Sequence, residues 1–152
     1  MCSICGIFDM QGQAMASEQV LQNMMQALRH RGPDGSNFTI LPGLALGFNR
    51  LSFVDLEGGM QPLYNEAKTL TMICNGEIYN HQALRRELRE IGHVFSTHTD
   101  VEVIVHLYEE YGLDFPNHLN GQFAIALYDH RLRQLLLVRD QIGICPLFYT
   151  QV

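Results

Sequence analysis

The stretch MCSICGIFD (residues 1–9) decides how the rest of the chain is read. Its apolar run predicts a buried strand over residues 3–9. On a strand, residues three apart point to opposite faces, so Cys2 and Cys5 cannot both reach one metal or one partner disulfide. Redox pairs of C-x-x-C spacing sit instead at helix N-termini, where the dipole lowers the thiol pKa. Cys2 offers another chemistry. If Met1 is trimmed, one residue carries both a thiol, with a reference pKa near ~8.5, and a free α-amine, near ~8. That amine can take the thiol proton directly or through a water, with no distant histidine needed. An exposed cysteine without a role, a Cys2–Cys5 redox pair and a chain-terminal nucleophile all remain open from these nine residues alone.

Composition narrows the classes. A chain of 152 residues fits one domain and removes roughly two-thirds of its unfolded surface from water. Hydrophobic content of 47% and a mean hydropathy of −0.03 fit an ordinary globular protein. The net charge is −6, and one lysine (Lys68) and nine arginines are scattered along the chain rather than gathered into a basic stripe. Nucleic acid is therefore not an expected partner. No apolar run approaches the ~18 residues of a membrane span, and no basic segment precedes an apolar one in the manner of a signal peptide. A cytoplasmic protein is expected, with Cys2, Cys5, Cys74 and Cys145 as free thiols.

Ser17 can cap a helix running to about His30, with Val20, Leu21, Met24, Met25 and Leu28 at helical spacing. The polar HRGPDGSN that follows is a loop. Strands are predicted at about 37–41 and 44–50, joined by Pro42-Gly43, and at 69–74, ending at Asn75-Gly76. Asn80 is the expected cap of a helix whose Leu84, Leu88 and Ile91 form one stripe, with Gly92 at its C′ position. Thr99 and Glu102 have the T-x-x-E spacing of a capping box. The helix they would open has Val103, Ile104, Leu107, Tyr108 and Tyr111 inward and Gly112 as its stop. Residues 122–129 alternate with period two and 134–139 return after HRLR, while PLFYT at the end looks like the start of a further strand. Strands, helices and then strands again, without repeats, describe one α+β or layered α/β domain.

The segments HRGPDG (30–35), RLSFVD (50–55), NGEIYN (75–80), THTDVEVI (97–104), GQFAIALYD (121–129) and RDQIGICPLFY (139–149) follow M-C-S-I in this order. Together they resemble the class II glutamine amidotransferase domain, most closely the glutaminase domain of glutamine-hydrolysing asparagine synthetases. The resemblance runs from residue 1 to about 149. It implies the four-layer αββα sandwich of the N-terminal nucleophile (Ntn) hydrolases, incomplete at its C-terminal end. It also implies L-glutamine as substrate, with Cys2 as the nucleophile and Cys5 as strand packing.

Carried over residue by residue, the resemblance assigns the Asn75 side-chain amide and the Gly76 backbone N–H to an anion hole. Arg50 becomes the clamp for the substrate carboxylate, a task its planar guanidinium suits through two parallel hydrogen bonds. Glu77 and Asp100 become carboxylates for the substrate ammonium, and backbone groups near Val54 add a hydrogen bond. Arg31 and Asp34 are expected to shape their loop, and Arg139 and Asp140 to form a structural ion pair. The seven histidines show no metal-ligand spacing, and the chemistry needs no metal.

Phe48 stands where the family often has histidine, and Thr99 where serine is frequent. The family's domain continues into further strands after PLFY and then into a synthetase domain, so residues 1–152 are expected to be a truncated glutaminase domain. No S-G-G-x-D-type loop occurs in these residues, and ATP and magnesium are expected only in the absent synthetase domain. That domain would act in cis or as a partner subunit. An uncovered sheet edge would also invite pairing with another chain, a homodimer being one such arrangement. A module that binds glutamine or docks to a partner without turnover is the alternative.

Overall fold

The computed structural model describes residues 1–11, 17–52 and 59–151. Strand β1 (Ser3–Phe8) leads to helix α1 (Glu18–Ala27) and a 3-10 turn at Arg29–Arg31. A hairpin of β2 (Gly35–Leu41) and β3 (Leu44–Arg50) follows. Gly43, at φ +76°, supplies the left-handed position that its two-residue link with Pro42 needs. The short β4 (Leu63–Tyr64) and the long β5 (Leu70–Ile78) precede α2 (His81–Glu90) and α3 (Val103–Tyr111). A 3-10 segment at Gly112–His118 then leads to β6 (Gly121–Asp129) and β7 (Gln134–Arg139).

The strands form two antiparallel sheets, ordered β1-β3-β2 and β4-β5-β6-β7. Side-chain parity explains their stacking. Leu44, Leu46 and Phe48 of β3 meet Ile73 of β5 and Ala126 and Tyr128 of β6 in a layer between the sheets. Alternate residues of the first sheet, Cys5, Ile7, Phe38, Ile40 and Ala45, face Leu21 and Met25 of α1. The other face of the second sheet, including Met72, Cys74, Ile125 and Leu127, packs on Leu84 and Leu88 of α2 and on Ile104 and Leu107 of α3. The order is helix, sheet, sheet, helices, the expected αββα sandwich.

Several local expectations change. Asn75 and Gly76 lie inside β5, not beyond its end, because pairing with β6 continues through Ile78↔Gly121. Asn80 does not cap α2 with its side chain; that amide donates to the His118 carbonyl and accepts the Asn120 N–H, joining α2 to the start of β6. Ile91 is 61% exposed and Tyr111 46%, so neither belongs to its helix's buried stripe. Gly92 and Gly112 do take positive φ at the helix ends. Residues 146–150 form no strand: Pro146 has no N–H to donate, no described strand lies beside them, and Phe148 and Tyr149 stand in solvent.

Candidate active site

Cys2 and Cys5 take opposite faces of β1, as strand geometry requires. Cys5, half-buried, packs toward α1, where burial pushes its thiol up to about 11. Cys2 faces the layer between the sheets. Its sulfur lies against the end of β3, 3.3 Å from the Leu51 nitrogen, which donates to it, and 3.5 Å from the Leu51 carbonyl. The strand end is fixed by the neighbouring pair: Asn49, 2% exposed, donates to the Ser3 hydroxyl at 3.0 Å and to the Met25 carbonyl at 2.9 Å.

The register Ser3↔Asn49 sets Arg50 beside Cys2. Phe48 and Arg50 share a face of β3, and Ile73, Asn75 and Glu77 share a face of β5. Both faces look into the gap between the sheets, whose open end is a cavity of about 430 Å³. Its lining brings Cys2, Arg50, Asn75, Gly76, Glu77 and Asp100 together. That volume lies within the range of small-molecule sites. Val54 lies outside the described residues.

Asp100 is placed by both ends of its segment. One carboxylate oxygen accepts the Ile78 N–H at 2.7 Å, docking the residue on the end of β5. Behind it, Glu102, 1% exposed, accepts the N–H and hydroxyl of Ser96 at 2.6 and 2.7 Å and those of Thr97 at 2.8 and 2.6 Å. Glu102 is itself the residue that precedes α3, and its side chain turns back to the 96–97 loop. The Thr99–Glu102 capping box is therefore replaced by a loop brace, with Arg85 of α2 donating to the carbonyls of Thr97 and Thr99. A buried carboxylate is stable only when its lone pairs are met, and four donors meet these.

Gln61 is a site residue that the sequence did not reveal. Its amide brackets the β5 backbone, accepting the Cys74 N–H and donating to the Cys74 carbonyl at 3.0 Å. A β5 residue just before Asn75 is thus held from the side by a buried glutamine. Phe48, Thr99 and Gln122 also line the cavity. In the adjoining loop Asp34 shapes the backbone as expected, accepting the Ser52 N–H at 2.8 Å. Asp140 is not committed to Arg139. It accepts the backbone N–H groups of Phe123, Ile144 and Cys145.

A family model described as "Glutamine amidotransferase domain" matches residues 1–152. The chain belongs to that family. It is 45% identical over 148 residues to asparagine synthetase B (glutamine-hydrolyzing) of Escherichia coli K12, an alignment covering 97% of this chain and 26% of that protein. A rice asparagine synthetase (glutamine-hydrolyzing) is 43% identical, with 97% and 25% covered. The chain thus spans about a quarter of the length of these relatives. Among solved structures, the glutamine phosphoribosylpyrophosphate amidotransferase of Bacillus subtilis superposes with a TM-score of 0.66 at 19% identity, over 84% of this chain and 35% of that one. This likeness to a solved structure identifies the fold. The sandwich of this glutamine amidotransferase domain is the one implied by M-C-S-I and the segments that follow. No helix among the described residues is long and apolar enough to cross a membrane.

Proposed function

We propose that this domain hydrolyses the side-chain amide of L-glutamine with Cys2 as nucleophile, and that the ammonia feeds an asparagine synthetase-type reaction. The reading rests on one observation: a thiol, an arginine, a buried amide and two carboxylates, from both sheets and the segment before α3, converge at the open end of the layer between the sheets. A free amino acid carries a carboxylate and an ammonium, for which Arg50 on one side and Glu77 and Asp100 on the other are complementary.

Loss of Met1 leaves the α-amine of Cys2 beside its own sulfur. The amine takes the thiol proton, the thiolate adds to the amide carbon, and the tetrahedral oxygen is held by the Asn75 amide and the Gly76 N–H. Return of the proton to nitrogen breaks the C–N bond and releases ammonia. Water then cleaves the thioester, giving glutamate and the free thiol. The Val54 backbone is a further contact for the substrate in this scheme.

The remaining three-quarters of the relatives' length is where a synthetase domain using ATP and magnesium would lie, in cis or as a partner subunit. The exposed Ile142, Ile144, Phe148 and Tyr149 offer an apolar surface against which it would pack. The free thiols suit action in the cytoplasm.

Intact-mass measurement combined with ammonia and glutamate release from L-glutamine tests the reading. Loss of Met1 and turnover are expected, with activity falling to the uncatalysed level in Cys2→Ala and roughly 10²–10³-fold in Asn75→Ala. Glutamine binding without turnover in the wild type would instead identify a non-catalytic binding module.

A further inference from the structure

Away from the cavity, two histidines and two carboxylates share one small space. Glu66 lies in the turn after β4, His93 just past α2, and His106 and Glu109 three residues apart on one face of α3. One ligand atom from each lies within 4.8 Å of the other three. His106 Nδ1 is 3.4 Å from Glu109 Oε2 and 3.5 Å from Glu66 Oε2. His93 Nδ1 is 3.7 Å from Glu66 Oε1 and 3.7 Å from Glu109 Oε2. A tetrahedron of N and O ligands at ~2.0–2.2 Å from an ion has edges of ~3.3–3.6 Å; the His106 contacts match that, and the widest pair, up to 4.8 Å apart, would have to draw in around the ion.

His106 supplies an independent sign. It is wholly buried, yet Nε2 has no hydrogen-bond partner and Nδ1 makes no well-aligned hydrogen bond, only the long contacts to Glu109 and Glu66. Buried polar groups left in this state are costly and call for a partner. Its Nδ1 is aimed at the two carboxylates, and its ring is wedged between those of His93 and Phe95. The surrounding groups are arranged as outer supports of a metal centre. Asn65 Nδ2 donates to the other oxygen of Glu109 at 2.7 Å, the Val94 N–H donates to Glu66 at 2.7 Å, and Glu110 lies 2.9 Å from the far nitrogen of His93. A carboxylate on the second nitrogen of a ligating imidazole is a recurring feature of zinc sites.

We propose that Glu66, His93, His106 and Glu109 form a structural zinc site. Two neutral imidazoles and two carboxylates balance the charge of a divalent ion, and mixed N/O donors in fourfold coordination suit zinc. All four positions are filled by side chains, so the site holds structure and leaves no place for a substrate. The ion would pin the turn after β4 and the end of α2 onto α3, the helix that begins three residues after Asp100.

The test uses the full chain, stripped with a chelator and titrated with zinc by calorimetry, with cobalt substitution and thermal melts alongside. One zinc per chain, intense visible bands from tetrahedral cobalt and a melting point raised by zinc are expected. Glu66→Gln and His93→Gln, both at the rim of the cluster, should each weaken zinc binding at least about 10-fold, the loss that even an outer-shell change brings. Failure of the wild type to take up stoichiometric zinc would reduce the cluster to an ion-pair network and overturn the proposal. So would uptake that both variants leave unchanged but thiol alkylation removes, since the ion would then sit on cysteine.

Discussion

A side chain at position 76 has nowhere to go. A Cβ built there would come within 2.3 Å of the Gln122 carbonyl oxygen and 2.6 Å of the Phe123 Cα, both backbone atoms of β6. The resemblance assigns the Gly76 N–H to an anion hole, yet it is the neighbouring strand that leaves no room for a side chain here. Gly76→Ala must therefore separate β5 from β6 or bend one of them, and overpacking of this kind costs about 1–3 kcal/mol. Urea denaturation is expected to show that loss, and an ammonia-release assay a fall in the proposed glutamine hydrolysis as Asn75 moves with the strand. Phe48 is a related case. The structure uses it as a 1% exposed plug between the sheets at the cavity wall.

At the scale of the element, helical periodicity located α2 correctly but misjudged its last turn. Leu84 and Leu88 are buried against the sheet, whereas Ile91 falls after Glu90, where the helix has ended and the chain turns away at Gly92, φ +110°. A substitution pair separates the two situations. Leu88→Ala is expected to cost about 2–5 kcal/mol, because it empties a closed site. Ile91→Ala should stay within about 0.5 kcal/mol, as surface changes do; thermal or urea unfolding of both variants checks this. The start of α3 was misread for another reason. Thr99 and Glu102 have capping-box spacing, but the Ser96 and Thr97 donors lie within reach of the Glu102 carboxylate and bind it instead. A spacing rule sees only the helix, and here the loop outcompetes it.

At the scale of the molecule, the segment beyond β7 is tied down by one acid. Burial alone would raise the pKa of Asp140, but backbone N–H groups from Cys145, Ile144 and Phe123 outweigh it and hold the carboxyl below its ordinary 3.8. A folded-state pKa that is depressed contributes stability above the unfolded value and loses it as pH falls through the folded one. Stability measured from about pH 6 to about pH 3 should therefore fall more steeply in the wild type than in Asp140→Asn, the variant being less stable near neutrality. Six of the seven described strands, the hairpin at Pro42-Gly43 and the opposite facing of Cys2 and Cys5 were determined by the sequence alone, since parity and turn chemistry act between near neighbours; the two-residue β4 and the last residues of β5 were not, because they exist only through pairing with a neighbouring strand. The ordered motifs also placed the chain in its family. Only the tertiary structure decided that Gln61 clasps β5, that Glu102 braces the loop holding Asp100, and that His93 and His106 meet Glu66 and Glu109. Such meetings depend on which faces two sheets and their helices bury together, and packing over the whole chain sets that choice while no local pattern records it.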